Sequence, residues 1–144
     1  MVRNAIRYAP AQTAVELRAD DHENALTISV RDTGTGVPEE LLPRLAQPFF
    51  RVEDARDYAP DGGVGLGLSI AQRAVQLHHG RLAAENAHPG LRVTLTIPHG
   101  PGGVIDHWLI QPVWKRFAER PCFRGRRASS STTRWSARLR HRWP

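Results

Sequence analysis

The 144-residue sequence has a single cysteine, Cys122, so no disulfide can form within the chain. Lysine is nearly absent, with Lys115 alone. No apolar run approaches the roughly 20 residues that cross a bilayer. No basic-then-apolar leader stands at the start. These absences set the expectation of a soluble, cytoplasmic chain without a transmembrane segment, held by a hydrophobic core rather than by cross-links. The length allows one ordinary domain.

Charge is unevenly divided. Residues 1–98 carry ten arginines against twelve acids, a balance near −2. Residues 99–144 carry ten basic residues against Asp106 and Glu119, near +8, and hold all four tryptophans. Pro and Gly cluster in "IPHGPGG", residues 97–103, which sets the domain boundary there.

Periodicity orders the first part. Residues 2–8 read as the end of a helix, stopped by Pro10. "TAVELRA" and "ALTISVRD" alternate as strands, and the polar "DHEN" between them predicts a hairpin. "PEELLPRLA" opens with Pro and acids, as a short helix does. Residues 47–64 have no period and form a long loop. "LGLSIAQRAVQLHHG" predicts a helix with a broad apolar stripe made of Leu68, Ala71 and Val75 together with Ile70, Ala74 and Leu77, ended by Gly80. "RLAAEN" and "LRVTLTIP" are strands joined by the turn "AHPG", the second with Leu91, Val93, Leu95 and Ile97 inward. The fold class is α/β, an α+β two-layer sandwich: a mainly antiparallel sheet covered on one face by helices.

Chemistry concentrates between these elements. Asp32 ends a strand and is followed by Gly34 and Gly36. Such glycines let a backbone approach a ligand closely, and the carboxylate can accept a hydrogen bond from an exocyclic amine. The plain alternative is a tight turn capped by Asp. Gly63, Gly65 and Gly67 lead straight into a helix, where free N–H groups and the helix dipole favour an anion. A flexible hinge is the alternative. No Gly-Lys-Ser/Thr follows, and no strand precedes, so neither the P-loop nor the dinucleotide fingerprint applies. Asn4 offers a neutral oxygen suited to Mg²⁺, Arg7 one turn on suits a phosphate, and Tyr8 suits a base. Taken singly, each is also readable as a capping amide, a solvated arginine and a core tyrosine.

The succession Asn-Ala-x-Arg-Tyr, Asp-x-Gly-x-Gly, Pro-Phe-Phe-Arg and Gly-Gly-x-Gly-Leu-Gly-Leu-Ser-Ile resembles the ATP-binding domain of sensor histidine kinases, of the superfamily shared by gyrase, Hsp90 and MutL. The resemblance covers residues 1–98 and implies the Bergerat ATP-binding fold. It implies Asn4 as the Mg²⁺ ligand and Asp32 at the adenine amine, with Gly34 and Gly36 beside the base. Phe49 and Phe50 would be the F box and residues 51–62 the ATP lid, with Arg51 and Arg56 as lid arginines. Gly63, Gly65 and Gly67, with Leu66 between the last two, would meet the phosphates. In the family the helix bearing Asn4 starts earlier and carries a first asparagine, so the resemblance implies a domain cut at its front edge. The partners it implies are ATP, a histidine-bearing dimerisation domain absent from the chain, and a response regulator; intact relatives are usually membrane-anchored.

No acceptor histidine is identified: His22-Glu23 lies in the hairpin turn, and His78-His79 end a helix. The 99–144 tail departs from the family. Its Arg and Trp mix suits a nucleic acid or an anionic membrane surface, but disorder is the reading adopted, with no specific nucleic acid expected. Two alternatives stand beside the histidine kinase: a free-standing anti-sigma-type serine kinase of the same fold, and an inactive remnant.

Overall fold

The computed structural model describes residues 1–22, 24–52 and 64–99 with their side chains and residues 133–140 through their backbone. Glu23, most of the expected lid (with Arg56 and Gly63), residues 100–132 and residues 141–144 lie outside the described residues. The elements are α1 (Val2–Tyr8), β1 (Ala14–Asp21), β2 (Ala25–Arg31), a 3-10 turn (Glu39–Arg44), α2 (Gly67–Leu77), β3 (Arg81–Asn86), β4 (Leu91–Pro98) and β5 (Thr133–Arg140).

The strands form one antiparallel sheet in the order β3-β4-β2-β1-β5. Register follows the alternation of the sequence. Leu17 stands opposite Val30, Val30 opposite Val93, and Val93 opposite Ala84, a row of apolar residues across four strands. Ala19, Ile28, Leu95 and Leu82 form the next. A slip of one residue would turn all of these to the other face. The opposite face carries Glu16, Arg31, Arg92 and Glu85 in register, with Arg92 Nη1 2.9 Å from Glu85 Oε1.

Both helices cover the apolar face. α1 packs on β1 and β2, and α2 on β3 and β4. Ala5 of α1 is buried against Val15, Leu17 and Val30, with Met1, Val2, Ile6 and Ile28 around them. α1 ends at Ala9, which is extended, as the residue before Pro10 must be.

In α2 the expected broad stripe is narrower. Leu68 and Val75 are buried, but Ile70 and Leu77 are 63% and 67% exposed and Ala74 is exposed too. Residue 70 lies about 200° around the helix from residue 68, so one sheet cannot cover both lines. The end of α2 also differs in detail. The left-handed residue is His79, at φ 57°, rather than Gly80. The Gly80 N–H donates to Val75 O and the His79 N–H to Gln76 O, the two bonds of a Schellman motif. Gly80 is required for another reason: a Cβ there would run into the Thr96 carbonyl and Val75.

The tail is the second difference. "TRWSARLR" alternates basic or polar with apolar residues, and its backbone pairs with β1 along the whole strand. Arg134 stands opposite Asp20 and Arg138 opposite Glu16. β5 thereby covers a sheet edge that would otherwise present unpaired backbone groups. The expectation of disorder does not hold for these eight residues.

Val15, 1% exposed, is the largest fully buried side chain among the described residues. Val15→Ala should destabilise the fold by about 2 kcal/mol through lost burial and a residual cavity. Gly80→Ala should cost about as much by displacing the β4 backbone. Urea unfolding of each variant measures both.

Candidate functional site

Two loops and one helix converge above the sheet. The first loop leaves β2 at Asp32, which is 6% exposed and the one buried charged side chain among the described residues. Its Oδ1 accepts the Gly34 N–H at 2.9 Å and the Leu91 N–H at 3.1 Å. The Asp32 N–H in turn donates to Leu91 O at 3.0 Å. One carboxylate oxygen is thus committed to backbone donors from two segments. Oδ2 has no partner among the described residues.

This arrangement depends on close approaches. Gly90 has φ 93°, and a Cβ on it would overlap the Asp32 carbonyl and lie 2.9 Å from Oδ1. A Cβ on Gly34 would press on the Tyr8 carbonyl. The first loop therefore passes directly beneath the C-terminal end of α1. Tyr8 itself is 38% exposed, and it is its carbonyl that meets the loop. Gly36 has φ 78°, and the Asn86 amide oxygen occupies the side where a Cβ would be.

The second loop enters α2. Gly65 has φ 77° and packs on the backbone of Phe49 and Phe50, 3.0 Å from a built Cβ. The Phe49 N–H donates to Gly65 O at 3.1 Å. Phe49 is 68% exposed, whereas the Phe50 ring lies 4.4 Å beneath the Arg44 guanidinium. Leu66 is the N-cap of α2, and its carbonyl accepts the Ile70 N–H and the Ser69 hydroxyl. The first-turn N–H groups of α2 have no intrahelical acceptor. No side-chain cap and no first-turn acid competes for them.

Asn4 faces the second loop. It is half-buried on α1, and its Oδ1 lies 3.6 Å from where a Cβ of Gly67 would sit. α1 therefore touches the first loop through Tyr8 and faces the second through Asn4. Arg7, three residues on from Asn4, and Arg51, next to Phe50, are half-buried. Arg56 and Gly63 fall outside the described residues. Sequence reasoning missed Asn86, Gly90 and the Leu91 amide. A polar residue closing a strand just before Pro-Gly was the only available signal.

A buried, half-committed carboxylate, flanked by glycines and standing across a short helix from an uncapped helix N-terminus, can hold a ligand with a hydrogen-bonding base at one end and anionic groups at the other. The comparisons with known proteins agree. The family model of the histidine kinase-, DNA gyrase B- and HSP90-like ATPases matches residues 1–101. The chain belongs to this ATPase family.

The relatives it resembles include sensor histidine kinases. The chain is 39% identical over 99 residues to the sensor histidine kinase CpxA of Escherichia coli K12, covering 68% of this chain and 21% of that protein. It is 39% identical over 98 residues to the sensor protein PfeS of Pseudomonas aeruginosa, with the same shares of 68% and 21%. It therefore spans about a fifth of these relatives' length. Among solved structures, the nucleotide-free catalytic domain of histidine kinase ThkA superposes with a TM-score of 0.59 at 30% identity, over 69% of this chain and 63% of that one. The mycobacterial sensor histidine kinase MprB gives 0.56 at 25%, over 67% and 64%. Among the described residues no helix is long and apolar enough to cross a membrane.

The glycines of the site separate by sterics. Gly90→Ala combines a positive φ with a backbone overlap, so it should cost more than the ~1 kcal/mol of strain alone. Gly67→Ala meets only ordinary contact with Asn4 and should leave stability unchanged or raise it by up to ~1 kcal/mol. Chemical unfolding of the two variants side by side checks the contrast.

Proposed function

We propose that this chain is the ATP-binding catalytic domain of a two-component sensor histidine kinase. The observation that carries the reading is Asp32, buried, with one oxygen fixed by the Gly34 and Leu91 amides and the other without a protein partner among the described residues. A carboxylate in that state accepts from an exocyclic amine such as that of adenine, and a guanine carbonyl in the same place would face it oxygen to oxygen.

The triphosphate then runs toward α2. The N–H groups around Gly67 and the positive end of the helix dipole receive phosphate oxygens. Gly67 leaves the backbone open to them. Arg7 and the lid arginines Arg51 and Arg56 add positive charge by resemblance. Asn4 fits a hard cation as one neutral oxygen ligand facing the same helix start. Phosphate oxygens and water would supply the other ligands, as Mg²⁺ usually retains them. When bound, Mg²⁺ neutralises and orients the phosphates.

The reaction is phosphoryl transfer. A histidine ring nitrogen on a dimerisation domain attacks the γ-phosphorus, the bond to the β-phosphate oxygen breaks, and ADP departs. Such chemistry depends on positioning and charge stabilisation. This domain's residues hold the base at one end and the phosphates at the other, which aims the γ-phosphate outward. The phosphohistidine would pass its phosphoryl group to a response regulator, on the cytoplasmic side, where ATP is available.

Calorimetry with Mg²⁺ tests the assignment. The wild type should prefer ATP to GTP clearly. Asp32→Asn keeps an oxygen for the two amides but turns a donor toward the adenine amine. It should weaken ATP binding by about 1–3 kcal/mol, the scale of an unpaired buried polar group. Equal affinity of the wild type for ATP and GTP would remove the adenine assignment.

A further inference from the structure

Asn86, at the end of β3, is the most fully engaged side chain near the site. Its Oδ1 accepts the Val37 N–H at 2.9 Å, and its Nδ2 donates to the Val37 carbonyl at 2.6 Å and to Glu39 Oε1 at 2.8 Å. The amide thus reproduces both hydrogen bonds of a strand bridge with one residue of the first loop. The amide orientation is fixed by its neighbours: one donor faces the oxygen, and two acceptors face the nitrogen. Its oxygen also lies 2.7 Å from the place a Cβ on Gly36 would take.

The backbone ties this clamp to Asp32. Asn86 is the register partner of Leu91, whose amide binds Asp32 Oδ1. The intervening turn is closed by the Ala87 N–H to Gly90 O at 2.8 Å, and Arg31 Nη2 holds Ala87 O at 3.0 Å. The loop from Asp32 to Val37 is therefore fastened twice. Asp32 fixes Gly34 at its start, and Asn86 fixes Val37 at its end. The four intervening positions include two glycines, which supply freedom and no side-chain packing.

We propose that Asn86 is a positioning residue for base recognition, setting the Gly34–Gly36 backbone against Asp32 without touching the ligand. The proposal rests on the nucleotide-binding reading above. Preorganisation within a few tenths of an ångström decides whether a hydrogen bond to the base is made, so loosening one end of the loop lowers affinity and selectivity together.

Two variants test this. Asn86→Ala removes the clamp. Asn86→Asp keeps its shape but sets an oxygen against the Val37 carbonyl and the Glu39 carboxylate. Each is measured below its thermal midpoint for Mg·ATP and Mg·GTP affinity by calorimetry, and for amide exchange along the chain. The expected result is an ATP affinity lower by about tenfold or more, with the ATP-over-GTP ratio narrowed and exchange faster at residues 34–37 while β2, β3 and β4 stay protected. The loss should be greater for Asn86→Asp. Folded variants with wild-type affinity and ratio would overturn the proposal. So would an equal loss for both nucleotides accompanied by faster exchange across the sheet, or failure of both variants to fold, since each makes Asn86 a structural residue only. If the wild type binds no ATP, the nucleotide reading itself fails and the proposal with it. Wild-type binding with unaffected variants removes the proposal alone.

Discussion

A buried carboxylate must be matched by donors, and in this fold Asp32 is matched on one oxygen by backbone alone. The two N–H groups come from Gly34, two residues on in the chain, and from Leu91, on the neighbouring strand. The second bond draws the β3–β4 turn against the end of β2. That closeness leaves no room for a side chain at residue 90. Desolvating the charge is costly, and two amide donors offset part of that cost. The other oxygen keeps its capacity to accept. The turn and the loop therefore hang on one interaction.

Position along the other axis depends on α1. A seven-residue helix is too short to persist by itself, so its place is set by packing. Ala5 inserts between Val15, Leu17 and Val30, and its small side chain brings the helix close to the sheet. From that anchor Tyr8 O reaches Gly34 on one side, and Asn4 Oδ1 faces Gly67 on the other. Core packing thus controls the separation between the two loops. Loosening Ala5 or Val15 would be felt at both loops, although neither touches a ligand.

Much of this was legible in the sequence. Strict alternation placed β1 to β4 and their hairpins, because one face of the sheet is buried and the other is not. The order of asparagine, aspartate and glycine motifs marked residues, Asn4, Asp32, Gly34 and Gly67 among them, that lie on α1 and the two loops beside it. The stripe on α2 was read too broadly, because apolar residues at 70, 74 and 77 look like a core line until the sheet is seen to cover only one side. His79 was missed as the left-handed residue, since the Gly80 beside it is the usual choice. β5 was missed because the arginine content of the tail outweighed the period-two pattern of "TRWSARLR". Asn86 was invisible for another reason: its role lies in partners 47 and 49 positions away, and nothing local in "AAEN" announces them.

The glycines carry the last step. Those at 34, 80 and 90 stand where a neighbouring backbone leaves no space, so the fold alone accounts for them. Gly67 is different. A Cβ there would meet only the Asn4 oxygen, at ordinary contact distance, and a helix start tolerates alanine better than glycine. Folding gives no reason for glycine at that position. An open backbone facing an oxygen donor, at an uncapped helix N-terminus, is what a phosphate with its counter-cation requires. The residue that stability would replace thus supports the nucleotide-binding proposal, and it lies at the same helix start toward which the Asn4 oxygen is turned.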